Sequence, residues 1–95
     1  MRTFTLFTDP GHGWLKVHLS DLYDIDMDPG QFTAYSYRDN DWLYLEEDCD
    51  ASTFLSNYER LRGNFRINEK YDDRDSFVRN LPRNKPAALN DSIIF

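Results

Sequence analysis

The sequence predicts an α+β domain: a small antiparallel sheet of about five strands in two hairpins, with one main amphipathic helix on one face and a short C-terminal helix. Three observations predict it. Several short segments alternate apolar and polar side chains, which is the period of a strand, and residues 50–62 change to the period of a helix. The 95 residues suffice for one domain. We expect residues 1–83 to form that domain and residues 84–95 to be a loosely held tail.

The first two strands are predicted at residues 3–8 and 14–19, joined by the turn at residues 9–11. Proline at the second position presets the backbone of a turn and glycine accepts the conformation that follows, so these strands form a hairpin. The second strand places aliphatic side chains on one face and three other side chains on the opposite face: Trp14, Lys16 and His18. Residues 20–25 then predict a short helical turn.

A second hairpin is predicted from residues 32–38 and 42–46, with residues 39–41 between its strands. The helix at residues 50–62 follows, and we expect Asp48 or Asp50 to cap its start and Gly63 to end it. Its apolar side chains fall on one stripe with helical spacing: Ala51, Phe54, Leu55, Tyr58 and Leu61.

The last two elements are a strand and a short helix. Residues 65–71 return to alternation, with Phe65, Ile67 and Tyr71 on one face. A short helix is expected to begin at a cap formed by Asp75 or Ser76 and to stop at Pro82. Its inner side would carry Phe77, Val78 and Leu81.

Charge is distributed unevenly along the chain, whose net charge is −6. Residues 1–59 contain 12 acidic and 3 basic side chains, whereas residues 60–95 contain 5 acidic and 8 basic ones. Between residues 20 and 50, ten acidic side chains accompany one basic side chain, Arg38. Such a field repels nucleic acid and anionic lipid and attracts basic surfaces. We therefore expect no direct nucleic-acid partner and no membrane, but a protein with a basic surface.

The same sequence indicates where the protein acts. No apolar run approaches the roughly 20 residues that a membrane helix needs. The N-terminal residues are too polar for a signal peptide. A single cysteine, Cys49, cannot form an internal disulfide. These features favour the cytoplasm of the host cell.

Three motifs invite a chemical interpretation. The acidic segment 24–30 would need glycine at its sixth position and glutamate at its twelfth to be a calcium loop, and it has Pro29 and Tyr35 there. The acidic run 46–50 is typical of a helix start, and partner contact or a carboxylate-bound Mg²⁺ or Mn²⁺ are the alternatives. Cys49 is expected to be a small buried residue rather than a nucleophile, because neighbouring carboxylates oppose thiolate formation. We expect no metal and no cofactor.

A candidate ligand site combines aromatic and basic side chains: Trp14, His18, Tyr37, Arg38 and Arg79. The face with Trp14 and His18 is open to two interpretations, the packing of a second helix or the lining of a shallow site. Likewise, the basic strip near the C-terminal helix is either solvated or paired with acidic groups of the same molecule, or it forms an anion or nucleotide pocket. That strip comprises Arg74, Arg79, Arg83 and Lys85.

Three segments together carry a family resemblance: residues 9–17 (DPGHGWLKV), residues 35–51 (YSYR at its start and YLEEDCDA at its end) and residues 75–83 (DSFVRNLPR). They resemble a group of small proteins of unknown function that are encoded by phages, prophages and plasmids. The resemblance covers residues 3–83. It implies an accessory protein of a mobile element, which acts by blocking a host enzyme or by sequestering a small molecule, and it assigns no catalytic residue.

These features together favour a non-enzymatic protein that inhibits or redirects a host protein, in the manner of an anti-defence or anti-CRISPR inhibitor. Its partner-binding surface would be acidic, with Asp39, Asp41, Glu46 and Glu47 as the contact residues. The alternative is a protein that binds or sequesters a small, nucleotide-like ligand at the candidate ligand site. A homodimer formed through an exposed sheet face with Trp and Tyr side chains is a further interpretation.

Overall fold

The computed structural model describes residues 1–87, which form a five-stranded sheet with one long helix on one face. The strands are β1 Arg2–Thr8, β2 Gly13–His18, β3 Tyr37–Asp39, β4 Trp42–Glu46 and β5 Phe65–Tyr71. The helices are α1 Leu19–Tyr23 and α2 Asp50–Arg62, and 3₁₀ turns occupy Pro29–Gln31 and Phe77–Asn80. The predicted α+β class is confirmed.

The sheet is mixed, so the prediction of a purely antiparallel sheet was wrong. Its strand order is β3-β4-β2-β1-β5, and β5 pairs with β1 in parallel. β1 and β4 both run antiparallel to β2 and therefore share one direction. Because α2 carries the chain from the end of β4 back across the sheet, β5 starts again at the same end as β4. A helical crossover of this kind produces parallel strands, which alternation within one strand cannot reveal.

The first hairpin is as predicted, whereas the second is shorter. β1 and β2 pair from Thr5 opposite Lys16 to Thr8 opposite Gly13. In the second hairpin only Tyr37–Asp39 is a strand, because the chain before it forms the 3₁₀ turn and then a loop.

Side chains in that loop bind the Asp50 carboxylate at the start of α2. The backbone N–H and the hydroxyl of Thr33, and the hydroxyl of Ser36, all donate to it. These contacts replace the strand pairing that alternation had suggested for residues 32–36.

The bounds of α2 and its end at Gly63 agree with the sequence-based prediction, but its N-cap does not. Gly63 has φ 92°, the left-handed region that favours glycine. The N-cap residue is Cys49, whose side chain makes no capping hydrogen bond and is exposed rather than buried. The Glu46 carboxylate instead accepts the N–H groups of Asp48 and Cys49, at 2.9 and 3.2 Å. The prediction that Asp48 or Asp50 caps the helix was therefore wrong.

The main core lies between the sheet and the helical side. The fully buried ring of Phe54 on α2 meets Phe4 of β1 edge to face, with ring centroids 5.3 Å apart. Leu55 and Tyr58 are only partly buried at the border of this core, and Leu61 is exposed. The remaining core members come from both hairpins, from residues 22–32 and from the first turn of α2: Leu15, Val17, Leu22, Ile25, Met27, Phe32, Leu43, Leu45 and Ala51.

The chain after β5 covers part of the opposite sheet face. The 3₁₀ turn Phe77–Asn80 begins at Ser76, whose side chain accepts the N–H of Val78 as predicted. Val78 is fully buried against Trp14, Tyr37 and Tyr44, whereas Phe77 is exposed. Phe77 extends this cover toward β1 and β4, because its ring centroid lies 5.1 Å from that of Phe7 and 5.8 Å from that of Tyr44.

Residues 82–87 are fixed to the body, so the expectation of a loose tail is corrected for its described part, residues 84–87. The N–H of Arg38 donates to the Pro82 carbonyl and the N–H of Asn84 donates to the Ser36 carbonyl, which covers the outer edge of β3. Asn84 is 2% exposed. Its amide donates to the carbonyls of Pro29 and Phe32 at 3.0 Å. Residues 88–95 of the predicted tail lie outside the described residues.

Candidate functional site

The predicted acidic contact residues fall into two separate places. Asp39 and Asp41 are exposed in the turn between β3 and β4. Glu47 is exposed beyond the other end of β4, which strand rise places roughly 20 Å from Asp41. Glu46 is 8% exposed and its carboxylate is used at the start of α2. Since exposed charges farther apart than about 8 Å are screened at physiological salt, these side chains do not act as one patch.

Several of the ten acidic side chains between residues 20 and 50 have partners within the described chain. Asp21 binds Arg2 and Asp24 binds Arg62, each with an N–O distance of 2.8 Å. The Arg62 guanidinium lowers the pKa of Asp24. Glu46 and Asp50 are buried and hydrogen-bonded. The other six of these ten are exposed and have no ion pair within residues 1–87: Asp26, Asp28, Asp39, Asp41, Glu47 and Asp48.

The turn surface, which we define as Asp39, Asp41 and Trp42, combines charge with a large ring. Asp39 pairs with Trp42 across the hairpin, and Trp42 is 37% exposed. The Trp42 ring is held between two side chains of β2: the His18 ring lies edge to face at 4.7 Å, and the Lys16 ammonium lies 4.3 Å from the ring centroid. Turn geometry, with Asn40 at φ 55°, presents both carboxylates to solvent.

The candidate ligand residues are brought together only in part. Trp14, Tyr37 and Arg79 line one small pocket, together with His12, Tyr35, Glu46 and Arg83. Arg38 lies in a different cleft, at the outer edge of β3, with Asn40, Pro82, Arg83 and Lys85. His18 lies toward the turn surface, and its ring accepts the N–H of Ser20 at the start of α1.

The arginine of this small pocket is already paired. Arg79 donates to both carboxylate oxygens of Asp9, at 2.7 and 2.9 Å. The Asp9 side chain is fully buried, and the Arg79 guanidinium, followed by the N–H groups of Ser76, His12 and Gly11, holds the pKa of Asp9 well below its usual range against the effect of burial. Arg79 also lies 5.1 Å from the Trp14 ring centroid. The packing interpretation therefore accounts for Trp14 and Arg79.

Size also separates this pocket from a nucleotide site. Its volume is about 100 Å³, whereas pockets for small organic ligands measure roughly 300–1,000 Å³. Arg83, on its rim, donates to the Ala34 carbonyl and lies 5.0 Å from the Tyr37 ring centroid. Both arginines thus hold the C-terminal segment against the sheet, and the space left between them suits a small ion or water.

A larger cleft, which the sequence analysis missed, lies between α2 and the sheet. Its volume is about 380 Å³ and its wall carries Ala51 and Leu55 of α2. Its floor is formed by Leu6, Leu15, Phe65 and Ile67 of three strands. Alternation did indicate that Phe65 and Ile67 share a face, but it did not indicate how far α2 would cover that face. Ile67 is 41% exposed, because α2 packs over β1 and covers the start of β5, where the Tyr58 and Phe65 ring centroids are 6.3 Å apart, but not Ile67.

Among residues 1–87, no group of three or more His, Cys, Asp or Glu side chains is placed to hold a metal ion. Within the same range no helix is long and apolar enough to cross a membrane. Comparison of the chain with protein-family models, with curated proteins and with solved structures finds no match in any of the three.

Proposed function

We propose that this protein acts by binding, as an accessory protein of a phage or other mobile element that inhibits or redirects a host protein with a basic surface in the host cytoplasm. The observation that supports the proposal is the turn surface. Its two carboxylates are exposed and have no ion pair among residues 1–87, and they flank a partly exposed tryptophan. Tryptophan is enriched among the residues that dominate interface energies, and surrounding charges steer association.

The small-ligand alternative has less support from geometry. Only three of its five residues share a pocket, and that pocket has a volume of about 100 Å³. The guanidinium that would bind an anion there is bound to the Asp9 carboxylate. An incoming anion would have to compete with a buried carboxylate that already has ideal bidentate geometry.

The proposal is tested by reversing the charge of the turn alone. We expect Asp39→Lys combined with Asp41→Lys to weaken capture of the partner from a host-cell lysate by about tenfold, or about 1.4 kcal/mol. The fold should survive, because substitutions at such exposed positions change stability by about 0.5 kcal/mol or less. The measurement is affinity capture on immobilised protein with quantitative mass spectrometry, at low and at physiological salt.

The matched control has the same change in net charge elsewhere. Asp48→Lys combined with Asp73→Lys alters two exposed carboxylates whose side chains make no hydrogen bond within residues 1–87. Capture by this control should stay near that of the unmodified protein. Equal capture by the turn variant and the unmodified protein would overturn the proposal. An equal loss of capture in both variants would show that binding depends on net charge and not on the turn surface, which would also overturn the proposal.

A further inference from the structure

The two edges of the sheet differ. At the β3 edge, residues 82–84 bind the outward backbone groups of residues 36 and 38. At the β5 edge, the last strand in the sheet order, no other part of residues 1–87 is paired with the outer side. An open edge strand presents a row of unpaired N–H and C=O groups that can pair with another chain.

The register of β1 with β5 shows which groups are outward. Thr8 is opposite Tyr71, and the Thr8 carbonyl accepts the N–H of Asp72. In a parallel pair the backbone groups of alternate residues point to the same side. Residues 66, 68 and 70 therefore bond to β1, and the N–H and C=O groups of Phe65, Ile67, Glu69 and Tyr71 point away from the sheet.

The same edge adjoins the large cleft, whose lining is mainly apolar and also includes Glu47 and Glu59. Phe65 and Ile67 line it from β5, and Leu55 lines it from α2. A strand added beside β5 would continue the sheet, so every second side chain would project to the side of the cleft. An edge with free backbone groups and a groove for alternate side chains is the arrangement used in strand addition.

Charge on the other face of β5 indicates which segment fits. Arg66 and Lys70 lie on that face, four residues apart, and form no ion pair among residues 1–87. A second copy of β5, paired antiparallel over all seven residues, would bring Arg66 opposite Lys70 twice, and like charges directly opposite each other destabilise a pair. Acidic side chains in an incoming strand would instead meet opposite charges.

From these observations we propose that the β5 edge and the adjoining cleft bind an extended peptide segment of a partner protein, with apolar side chains toward the cleft and acidic side chains opposite Arg66 and Lys70. This site is separate from the turn surface, which lies at the opposite side of the sheet on β3 and β4. The two proposals therefore fail independently, because each has its own variants.

The experiment uses the capped peptide Val-Glu-Ile-Ser-Ile-Glu-Val, whose symmetric pattern presents its acidic residues four apart in either strand direction. A matched peptide has lysine in place of both glutamates. Fluorescence anisotropy at about 0.15 M salt, where charges beyond about 8 Å are screened, compares the two. We expect the acidic peptide to bind at least about tenfold more tightly, and equal affinities or no binding at about 1 mM would overturn the proposal.

Two variants of Ile67 separate strand addition from simple apolar binding. Ile67→Ala removes the side chain from the cleft, whereas Ile67→Pro also removes an outward N–H that β1 does not use. We expect the proline variant to bind the acidic peptide several-fold more weakly than the alanine variant. Equal binding by both would show that the edge backbone takes no part.

A measurement on the unmodified protein removes any dependence on folding of the proline variant. Saturation with the acidic peptide should slow hydrogen exchange at the Ile67 and Glu69 amides, and unchanged exchange there would contradict the proposal. Sedimentation of the protein alone supplies the last test. Self-association that Ile67→Pro abolishes would assign this edge to a second copy and overturn the peptide proposal.

Discussion

Asp9 shows how one side chain connects two parts of the chain that the sequence could not relate. The sequence Asp-Pro-Gly predicts its local role, and its Oδ1 atom accepts the N–H groups of Gly11 and His12 in the turn. Its Oδ2 atom also accepts the N–H of Ser76 and the guanidinium of Arg79, nearly 70 residues later. Turn chemistry is local and can be predicted, whereas a pairing over that distance leaves no periodic signal.

Asp9→Asn tests the importance of this connection. The amide cannot accept every donor and leaves Arg79 without its counter-ion, so we expect a loss of about 3 kcal/mol of unfolding free energy at neutral pH. This is the low end for a broken buried pair, because Arg79 is partly exposed. Chemical denaturation with matched slopes would measure the loss, and Asp73→Asn, at an exposed carboxylate, is the control.

The same variant changes the dependence of stability on pH. The folded pKa of Asp9 is lowered, so its contribution is complete above the unfolded pKa of about 3.9 and disappears as the pH falls below it. Between about pH 5 and pH 2, the unmodified protein should therefore lose more stability than Asp9→Asn. Parallel stability curves for the two proteins over that range would contradict this account of Asp9.

At the scale of elements, α2 was predicted almost completely and its surroundings were not. Apolar spacing and Gly63 are properties of the segment itself, so residues 50–62 could be assigned directly. The function of Glu46 and Asp50 depends on what faces them. Thr33 and Ser36 reach Asp50 from another loop, and that requirement shortens β3 at the same time. Local acidity predicted the helix start correctly, but the predicted carboxylate cap is not formed, and Glu46 instead binds the N–H groups of the two residues before the helix.

The apolar residues of α2, which the sequence places on one stripe, differ in how deeply they are buried. Phe54 is fully buried, so Phe54→Ala should lower the unfolding free energy by about 3–5 kcal/mol. Leu55 is only partly buried beside the cleft, so Leu55→Ala should lower it by less than the roughly 2–5 kcal/mol of a buried leucine. Urea denaturation of both variants checks the order. A larger loss for Leu55→Ala would place the centre of the core at the cleft.

For the whole molecule, the sequence predicted the number of strands and the two hairpins, but not the pairing of β2 with β4 or of β1 with β5. Alternation shows which residues of β5 share a face. It does not show that β5 pairs with β1 in parallel, because that pairing depends on where the chain leaves α2. The positions of the acidic side chains in the folded protein could not be predicted from the sequence either. Asp39 and Glu47 are eight positions apart in the sequence, but a strand keeps them at opposite ends of the sheet. Both binding surfaces that we propose are consequences of this strand order.

The contacts of Asn84 predict that the stably folded part of the chain extends beyond residue 83. Asn84 is buried, and its amide donates to the Phe32 carbonyl, which has no other donor among residues 1–87, and to the Pro29 carbonyl, which also accepts the N–H of Phe32. Leaving a buried acceptor without a partner costs about 1–3 kcal/mol, so we expect Asn84→Ala to lower the unfolding free energy by about 2 kcal/mol. In a domain of this size the melting temperature should fall by roughly 10 °C.

Asn64→Ala is the control, because Asn64 is exposed and its side chain makes no hydrogen bond within residues 1–87. If both variants melt at the same temperature by circular dichroism, residues 84–87 contribute little, and the sequence-based expectation of a loosely held tail would be the better description of that segment.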